Sequence, residues 1–579
     1  MNRDFRVWAP FAKTVELELD RQRHPSRRGL DGWWSAEISH AGPASSYGFA
    51  LEGGPVLPDP RSPWQPSGPH GLSRLVDHRE FKWTDHAWRP PSIASAVIYE
   101  LHVGTFTPHG TFEAVIEKLE ELVNLGVTHV EMMPVAEFSG NCGWGYDGVD
   151  LFAPHHAYGG PRGLKLLVDA CHARGLAVIL DVVYNHVGPS GNYLGRYGPY
   201  FTDHFSTPWG PAVNLDGRGS DEVRRFFCDN ALMWLRDYHF DGLRLDAVHA
   251  FVDSSTIPFL EQLCGEVREF AARSGRPCLI IAENDRNDPR PLWPVGRGGF
   301  QLDAQWNDDF HHSLHGILTG EKTGYYSDFG TLADFTKAFR QAYVYDGGYS
   351  AFRGRRQGRE TTGLAGHQFV VYSQNHDQVG NRAQGERSSR LMNPGRLKIG
   401  AALVLLSPFI PLIFQGEEWG ASTPFLYFTD HQEAGLAAAV RDGRRREFSH
   451  QGALAEPAPD PQARETFERS KLNWAERGAS VHAELFNWYR ELIRLRRAES
   501  ALTDPTLAES RTSQDEARRW IVIHRGPVTI ACNLADQPQR VPLPAGLRRL
   551  LLASAAGLRL TRLGVHLPSD SVAILKRAA

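Results

Sequence analysis

The 579-residue chain has little of what marks a membrane, secreted or nucleic-acid-binding protein. No hydrophobic run approaches the ~18 apolar residues that a membrane-spanning helix requires, and residues 1–8 lack the apolar stretch of a secretory signal. Six cysteines are too few for a disulfide framework. A net charge of −4 provides no basic surface for nucleic acid or anionic lipid. We therefore expect a cytoplasmic protein with no nucleic-acid or membrane partner.

The composition is that of a globular protein that is rich in aromatic residues. Apolar residues make up 41% of the chain and charged residues 22%, which is enough apolar surface for a packed core and argues against disorder. Aromatic residues reach 11%, with 15 tryptophans. Such side chains fill cores, but they also form the flat platforms on which sugar rings stack. Composition alone leaves both interpretations open.

The apolar pattern divides the chain into three predicted domains. Short alternating runs such as residues 15–19 (VELEL) predict a β-sandwich over residues 1–90, immunoglobulin-like and of carbohydrate-binding type. From residue 91 to 495, continuous apolar strands alternate with helical spacing, without a glycine-rich dinucleotide-binding turn. This rhythm predicts an α/β fold, a (β/α)8 barrel. Short β runs return over residues 496–579 and predict a second β-sandwich.

Charged residues stand at the ends of three predicted barrel strands. These residues are Asp246, Glu283 and Asp377. A charge at the end of an apolar strand is costly unless it is paired or functional, and the carboxyl ends of barrel strands line the active site. The pattern therefore predicts three carboxylates directed at one point above the barrel axis.

Three converging carboxylates suit either a bound Mg²⁺ or Ca²⁺ or the hydrolysis of a glycoside. Aromatic and imidazole side chains at the same strand ends favour a sugar ring over a bare metal; they are Tyr146, His186, His249 and His376. Arg244 precedes Asp246 by two residues and would keep it ionised, as a nucleophile requires. Taken singly, each of these residues would more often be a cap, an ion-pair partner or a structural histidine. Only their combination favours catalysis.

Four ordered segments resemble the signature regions of the α-amylase family of glycoside hydrolases. They are residues 181–186 (DVVYNH), 242–246 (GLRLD), 281–283 (IAE) and 375–377 (NHD). The resemblance implies a retaining mechanism with Asp246 as nucleophile and Glu283 as general acid and base. It also implies that Asp377 stabilises the oxocarbenium-like state. Where many α-amylases have Lys-His near a calcium ion, this chain has His249-Ala250, and it has no EF-hand-type calcium loop. We expect neither a metal nor a cofactor.

Further segments are similar to malto-oligosyltrehalose trehalohydrolases within that family. They are residues 59–71, 306–312 (WNDDFHH), 349–356 (YSAFRGRR) and 466–474. This resemblance implies hydrolysis of the α-1,4 bond next to a terminal trehalose, with maltooligosyltrehalose and related α-glucans as substrates and trehalose as product. We expect the leaving trehalose to be recognised by polar residues of these motifs, namely Asn307, Asp308, Asp309, His311, Gln378 and Arg382.

Two other functions stay open at this point. A glycogen branching enzyme would use the same carboxylates but transfer the glucan to a second chain. A non-catalytic, amylase-like binding protein would lack a catalytic carboxylate or carry a membrane anchor.

We expect a monomer. We also expect Tyr146, Trp306 and Phe310 to border the cleft, and Trp8 and Trp520 to belong to the two sandwiches.

Overall fold

The computed structural model describes residues 3–39, 41–449 and 457–577. Its centre is a closed barrel of eight parallel strands, which we label β1–β8. Their bounds are Ile98–Leu101 (β1), His129–Met132 (β2), Ala177–Val182 (β3), Gly242–Leu245 (β4), Leu279–Ala282 (β5), Ala304–Trp306 (β6), Phe369–Val371 (β7) and Ile410–Phe414 (β8). Strand β8 pairs with β1 and closes the barrel. The predicted (β/α)8 barrel between two β-sandwich regions is confirmed.

Helices cover the outside of the barrel between most of its strands. The larger ones are Leu119–Leu125, Gly160–His172, Ser220–Asp237, Phe259–Ser274, Asp308–Thr319, Leu332–Gln341, Pro394–Leu405 and Ser480–Ala498. In the described stretch between β5 and β6, two short 3₁₀ turns, Arg290–Leu292 and Val295–Arg297, replace the helix. Glycines end several helices; Gly126, for example, adopts a positive φ of 101° and donates its N–H to the last turn. None of the described helices is long and apolar enough to cross a membrane.

Residues pointing into the barrel form a separate apolar core. Ile98, Ile179, Ile281, Val370 and Leu412 pack inside the ring of strands. The alternate residues of the same strands pack outward against the helices, which explains why the strands read as continuous apolar runs. Above this interior layer, at the carboxyl ends of the strands, the inward-facing residues become charged.

The regions on either side of the barrel are antiparallel β-structures. The first contains the sheets Arg3–Trp8, Trp33–Ile38 and Arg27–Arg28, and Gln22–Pro25, Val15–Leu19, Ser46–Leu51 and Val56–Leu57, with Ser73–Arg74 beside Ser46–Leu51. The last contains the sheets Ser510–Asp515, Trp520–Arg525, Val528–Asn533, Ser571–Arg577 and Arg548–Ala553, and Gln539–Pro542, Gly564–Leu567 and Arg559–Thr561. The domain limits at residues 90 and 495 stay predictions.

Candidate active site

The three predicted carboxylates lie at the carboxyl end of the barrel. Asp246 follows β4 directly, Glu283 follows β5, and Asp377 lies in the helix His376–Gly380 that begins after β7. Their side chains are progressively more exposed, at 12%, 17% and 41%. Asp246 is therefore the deepest of the three and Asp377 faces the open cleft.

A single buried guanidinium organises the floor of the cleft. Arg244 Nη1 donates to both oxygens of Asp181, at 2.9 and 2.7 Å, and to Asp246 Oδ1 at 2.9 Å. Its Nη2 lies 3.1 Å from Glu283 Oε2, within ion-pair distance but without hydrogen-bond alignment. The guanidinium also lies 4.2 Å from the centre of the Trp306 ring, a cation–π distance. Because Arg244 is fully buried, its charge acts on these carboxylates with little screening by water.

Asp246 is fixed on both carboxylate oxygens. Asn185 donates its Nδ2 to Asp246 Oδ2 at 2.7 Å, while Arg244 takes Oδ1. Asn185 also donates to the Asp246 backbone carbonyl at 2.9 Å. Two donors of different residues therefore set the orientation of this carboxylate before any ligand arrives, as a nucleophile needs.

Glu283 is held by the backbone of the residue that follows Asp246. The Ala247 N–H donates to Glu283 Oε2 at 2.8 Å. Ala247 has φ 41° and ψ 52°, in the left-handed region that an alanine seldom adopts. Such strain is typical of functional sites, where the surrounding structure maintains it. Here the strained turn directs one N–H toward the second carboxylate.

A hydrogen-bonded chain crosses the cleft floor from β1 to β3. His376 Nδ1 lies 2.5 Å from Glu100 Oε1, and its Nε2 lies 2.8 Å from Tyr146 Oη. Tyr146 donates its hydroxyl to Asp181 Oδ2 at 2.5 Å. Burial alone would lower the pKa of His376, but the carboxylates of Glu100 and Asp377 outweigh it and raise that pKa to about 9. His376 is therefore a cation near neutral pH, and both ring nitrogens donate.

His186 and His249, two more of the predicted histidines, contact different residues near this floor. His186 contacts Asn185 Oδ1 through Nδ1 and the Tyr146 carbonyl through Nε2, and its ring stacks on Trp209 at 5.3 Å. Burial lowers the pKa of His186. His249 lies beside Asp285, with Nε2 3.7 Å from Asp285 Oδ1.

Three of the predicted substrate residues after β6 are turned into the protein. Asn307 caps the helix Asp308–Thr319 and donates to the Ala342 carbonyl. The buried Asp309 Oδ2 accepts from Asn287 Nδ2 and from the backbone N–H groups of Val344 and Tyr345, at 2.7 to 2.8 Å.

His311 is also buried, with its Nε2 2.9 Å from Tyr326 Oη. Burial lowers the pKa of His311 well below its usual value. Together with the contacts of Asn307 and Asp309, this places all three side chains where they brace the loops behind the cleft.

The other candidates, Asp308, Gln378 and Arg382, follow the cleft wall. Tyr372 Oη donates to Asp308 Oδ1 at 2.6 Å, and Gln378 Nε2 donates to the same oxygen at 3.2 Å. Arg382 pairs with Glu321 at 2.9 Å. Asp308 and Gln378 thus contact each other, whereas the partner of Arg382 is Glu321 and none of the predicted carboxylates.

Several residues of the site were not among the predicted ones. Asp181 and Asn185 belong to the first signature segment, so the motif itself carried the signal. Glu100 is the last residue but one of β1, and a search for charges near strand ends would have found it. The pair Asp285–Arg353, at 3.0 Å, joins two loops that are distant in sequence, and no local pattern marks it.

The aromatic expectations are confirmed only in part. Tyr146 lies in the cleft floor, but Phe310 is fully buried outside the barrel among Phe335 and Phe409. The expectation that Phe310 borders the cleft is wrong, because it lies on the helix face turned to the barrel. Trp306 is also buried, beneath the Arg244 guanidinium.

One cluster of the described residues has the atom types of a metal site. Glu137 Oε1 lies 3.1 Å from His155 Nδ1 and 2.7 Å from His156 Nδ1. Glu137 Oε2 also accepts the His156 backbone N–H at 2.8 Å. The contacts are hydrogen bonds within the loop after β2, and they account for the buried carboxylate without an ion.

Comparison with known proteins places this geometry in a family. Residues 78–199 match the α-amylase catalytic domain, and residues 505–574 match a domain of unknown function (DUF3459). The chain is 48% identical to a malto-oligosyltrehalose trehalohydrolase of Mycobacterium tuberculosis, covering 99% of each chain. It is 46% identical to the enzyme of the same name from Arthrobacter ramosus, covering 100% of both.

A more distant relative and a solved structure complete the comparison. A 1,4-α-glucan branching enzyme of Corynebacterium jeikeium is 29% identical over 78% of this chain and 65% of its own. A crystal structure described as an α-amylase of Salmonella typhimurium matches with a TM-score of 0.92 and 39% identity, covering 100% of this chain and 98% of that one.

Proposed function

The chain belongs to the malto-oligosyltrehalose trehalohydrolases of the α-amylase family, and from that membership we propose the roles of its cleft residues. The enzyme is a glycoside hydrolase that releases trehalose from α-glucans ending in trehalose. We take its substrate to be maltooligosyltrehalose and the cleaved bond to be the α-1,4 bond next to the terminal trehalose.

In the first step Asp246 attacks the anomeric carbon of the glucosyl unit on the non-reducing side of the bond. Its carboxylate forms the new C–O bond while the bond to the glycosidic oxygen breaks. Glu283 gives its proton to that oxygen, so trehalose leaves as a neutral molecule. Asp377, the most exposed of the three, lies where it can bind hydroxyls of the same glucosyl unit as positive charge develops.

In the second step water replaces trehalose. Glu283, now ionised, takes a proton from the water, whose oxygen attacks the anomeric carbon and displaces Asp246. Each step inverts the configuration, and the product keeps the α configuration. Arg244 and His376 stay protonated throughout and hold positive charge below the reacting unit.

One observation supports this assignment most: Asp246 and Glu283 contact the same guanidinium. Arg244 Nη1 holds Asp246 at 2.9 Å and Nη2 lies 3.1 Å from Glu283. Retaining enzymes place their two carboxyl groups ~5–5.5 Å apart, whereas inverting enzymes leave ~6.5–9.5 Å for a water molecule. Two carboxylates that share one guanidinium are neighbours on the cleft floor, and we propose that their separation falls in the range of retaining enzymes.

The test follows the anomeric product and the leaving group together. Purified enzyme acts on maltotriosyltrehalose while ¹H NMR records the first-formed anomer, and chromatography identifies the released sugars. We expect trehalose and α-maltotriose. A β anomer would contradict the nucleophilic role of Asp246. A parallel incubation with amylose tests for a branching enzyme, which would form new α-1,6 bonds; we expect none.

A further inference from the structure

Asp308 is a fourth carboxyl group in the cleft. It is the first residue of the helix after β6, between the strand that delivers Glu283 and the strand that precedes Asp377. Unlike its neighbour Asp309, it is partly exposed. The mechanism above gives Asp308 no part in bond making or breaking.

The carboxyl group of Asp308 is held by one oxygen only. Tyr372 Oη and Gln378 Nε2 both donate to Oδ1, at 2.6 and 3.2 Å. Among the described residues, no hydrogen bond reaches Oδ2. Gln378 is in turn contacted by Tyr325, whose hydroxyl donates to Gln378 Oε1 at 3.4 Å. The group is therefore oriented by protein on one side and has one oxygen left for a ligand.

The surroundings of Asp308 are acidic. Burial raises its pKa to about 7; the Tyr372 hydrogen bond opposes this, and the nearby charges of Glu283, Asp377 and Asp285 add to it. Gln378, which follows Asp377 directly in the chain, donates to Asp308 Oδ1 at 3.2 Å, so Asp308 lies at the side of the cleft that carries Asp377. A carboxyl group there can accept or donate a hydrogen bond to a sugar hydroxyl near neutral pH.

On the basis of the proposed function, we propose that Asp308 binds a hydroxyl group of the leaving trehalose through its Oδ2, and that Tyr372 and Gln378 position it. The specificity for trehalose then depends on the Asp308 carboxyl group, which is left without a hydrogen-bond partner when the leaving sugar lacks the matching hydroxyl. Such sites reject poor substrates more strongly than apolar contacts do.

The experiment compares two substrates that share the glucosyl donor and differ in the leaving group. Maltotriosyltrehalose leaves trehalose in the acceptor sites, whereas α-maltotriosyl fluoride leaves only fluoride. We expect Asp308→Ala to lower kcat/KM for maltotriosyltrehalose by roughly 10- to 100-fold, as for the loss of a hydrogen bond to a charged group. Hydrolysis of the fluoride should stay within about threefold of wild type, because no sugar contacts Asp308. Tyr372→Phe should show the same selectivity with a smaller loss.

Asp309→Ala is the matched control, because the two carboxyl groups are adjacent in sequence and Asp309 faces inward. It should lower thermal stability and affect both substrates alike. Equal losses on both substrates for Asp308→Ala, with a folded enzyme by thermal unfolding, would overturn the proposal, as would no loss on either. Asp308→Asn checks the result with a side chain of nearly the same shape. If the wild type releases no trehalose, the proposed function fails, and the fluoride still measures its donor chemistry separately.

Discussion

Two groups of polar side chains at the carboxyl end of the barrel differ in how many of their members reach the cleft. The first surrounds Arg244 and comprises Asp181, Asp246 and Glu283; all of them meet at one guanidinium. The second lies at the start of the helix Asp308–Thr319, where only Asp308 faces the cleft. Both groups follow barrel strands and both lie in motif segments, yet only the first converges as a whole.

The difference comes from the local backbone. A residue directly after a parallel strand continues the alternation of that strand, so its direction is set by the strand. A residue at the start of a helix turns by about 100° for each position, so neighbours point to different surroundings. Asp308 and Asp309 show this: one carboxyl group reaches the cleft and the next accepts three N–H groups behind it.

The largest expected effect lies in the first group. Asp246→Asn should lower turnover of maltooligosyltrehalose by at least about 10³-fold, because the amide cannot form the glycosyl-enzyme bond. Binding of the unreacted substrate, measured by calorimetry, should change little, since the amide has nearly the shape of the carboxylate and its oxygen can still accept from Arg244. Asp536→Asn, at an exposed carboxylate of the last β-region, is the control and should leave turnover unchanged. Turnover within about tenfold of wild type would contradict the assignment.

A second expected effect concerns the positive charge of His376 in the cleft floor. The pKa of His376 is raised to about 9 in the folded protein, against ~6.5 when unfolded. The folded state therefore binds the proton more tightly, and the stabilisation is complete below pH ~6.5 and lost as the pH rises through about 9. It amounts to about 3 kcal/mol at 1.36 kcal/mol per unit.

Urea unfolding of the wild type and of Glu100→Gln at several pH values measures this effect. The variant removes the carboxylate that holds the His376 proton, so the difference in unfolding free energy between the two proteins should be largest at pH 6 and shrink by pH 9.5. A difference independent of pH would show that His376 is not the group that carries it.

The smallest effect is expected in the second group, where a substitution of Asp309 should lower the free energy of unfolding and leave turnover largely unchanged. Asp309→Ala leaves the Asn287 side chain and two backbone N–H groups without their acceptor. Each unsatisfied buried donor costs about 1–3 kcal/mol, and relaxation of the loop around residue 344 reduces the total. We expect a loss of about 2 kcal/mol or more in unfolding free energy. A loss in turnover without a loss in stability would place Asp309 with Asp308 at the ligand.

Sequence patterns predicted the barrel well because its strands are continuous apolar runs bounded by helix signals. One such signal is Gly126, which ends the helix Leu119–Leu125. The stretch between β5 and β6 has no such signal, and there 3₁₀ turns stand where the repeat predicts a helix. The prediction for Phe310 was wrong because its motif begins at the cleft, but the face of the helix that carries Phe310 packs against Phe335 and Phe409.

The fold class, the three carboxylates and the family follow from local features of the chain, because strand-end charges and ordered motifs each lie within a short segment. Which polar residues face the cleft depends instead on how distant strands and helices come together in the folded protein. The grouping of Asp181, Asp246 and Glu283 on Arg244, and the pairing of Glu100 with His376 across 276 positions, depend on closure of the barrel. The direction of Asp308 depends on the helix that starts there. Both are set by packing between segments far apart in the chain, which no local pattern records.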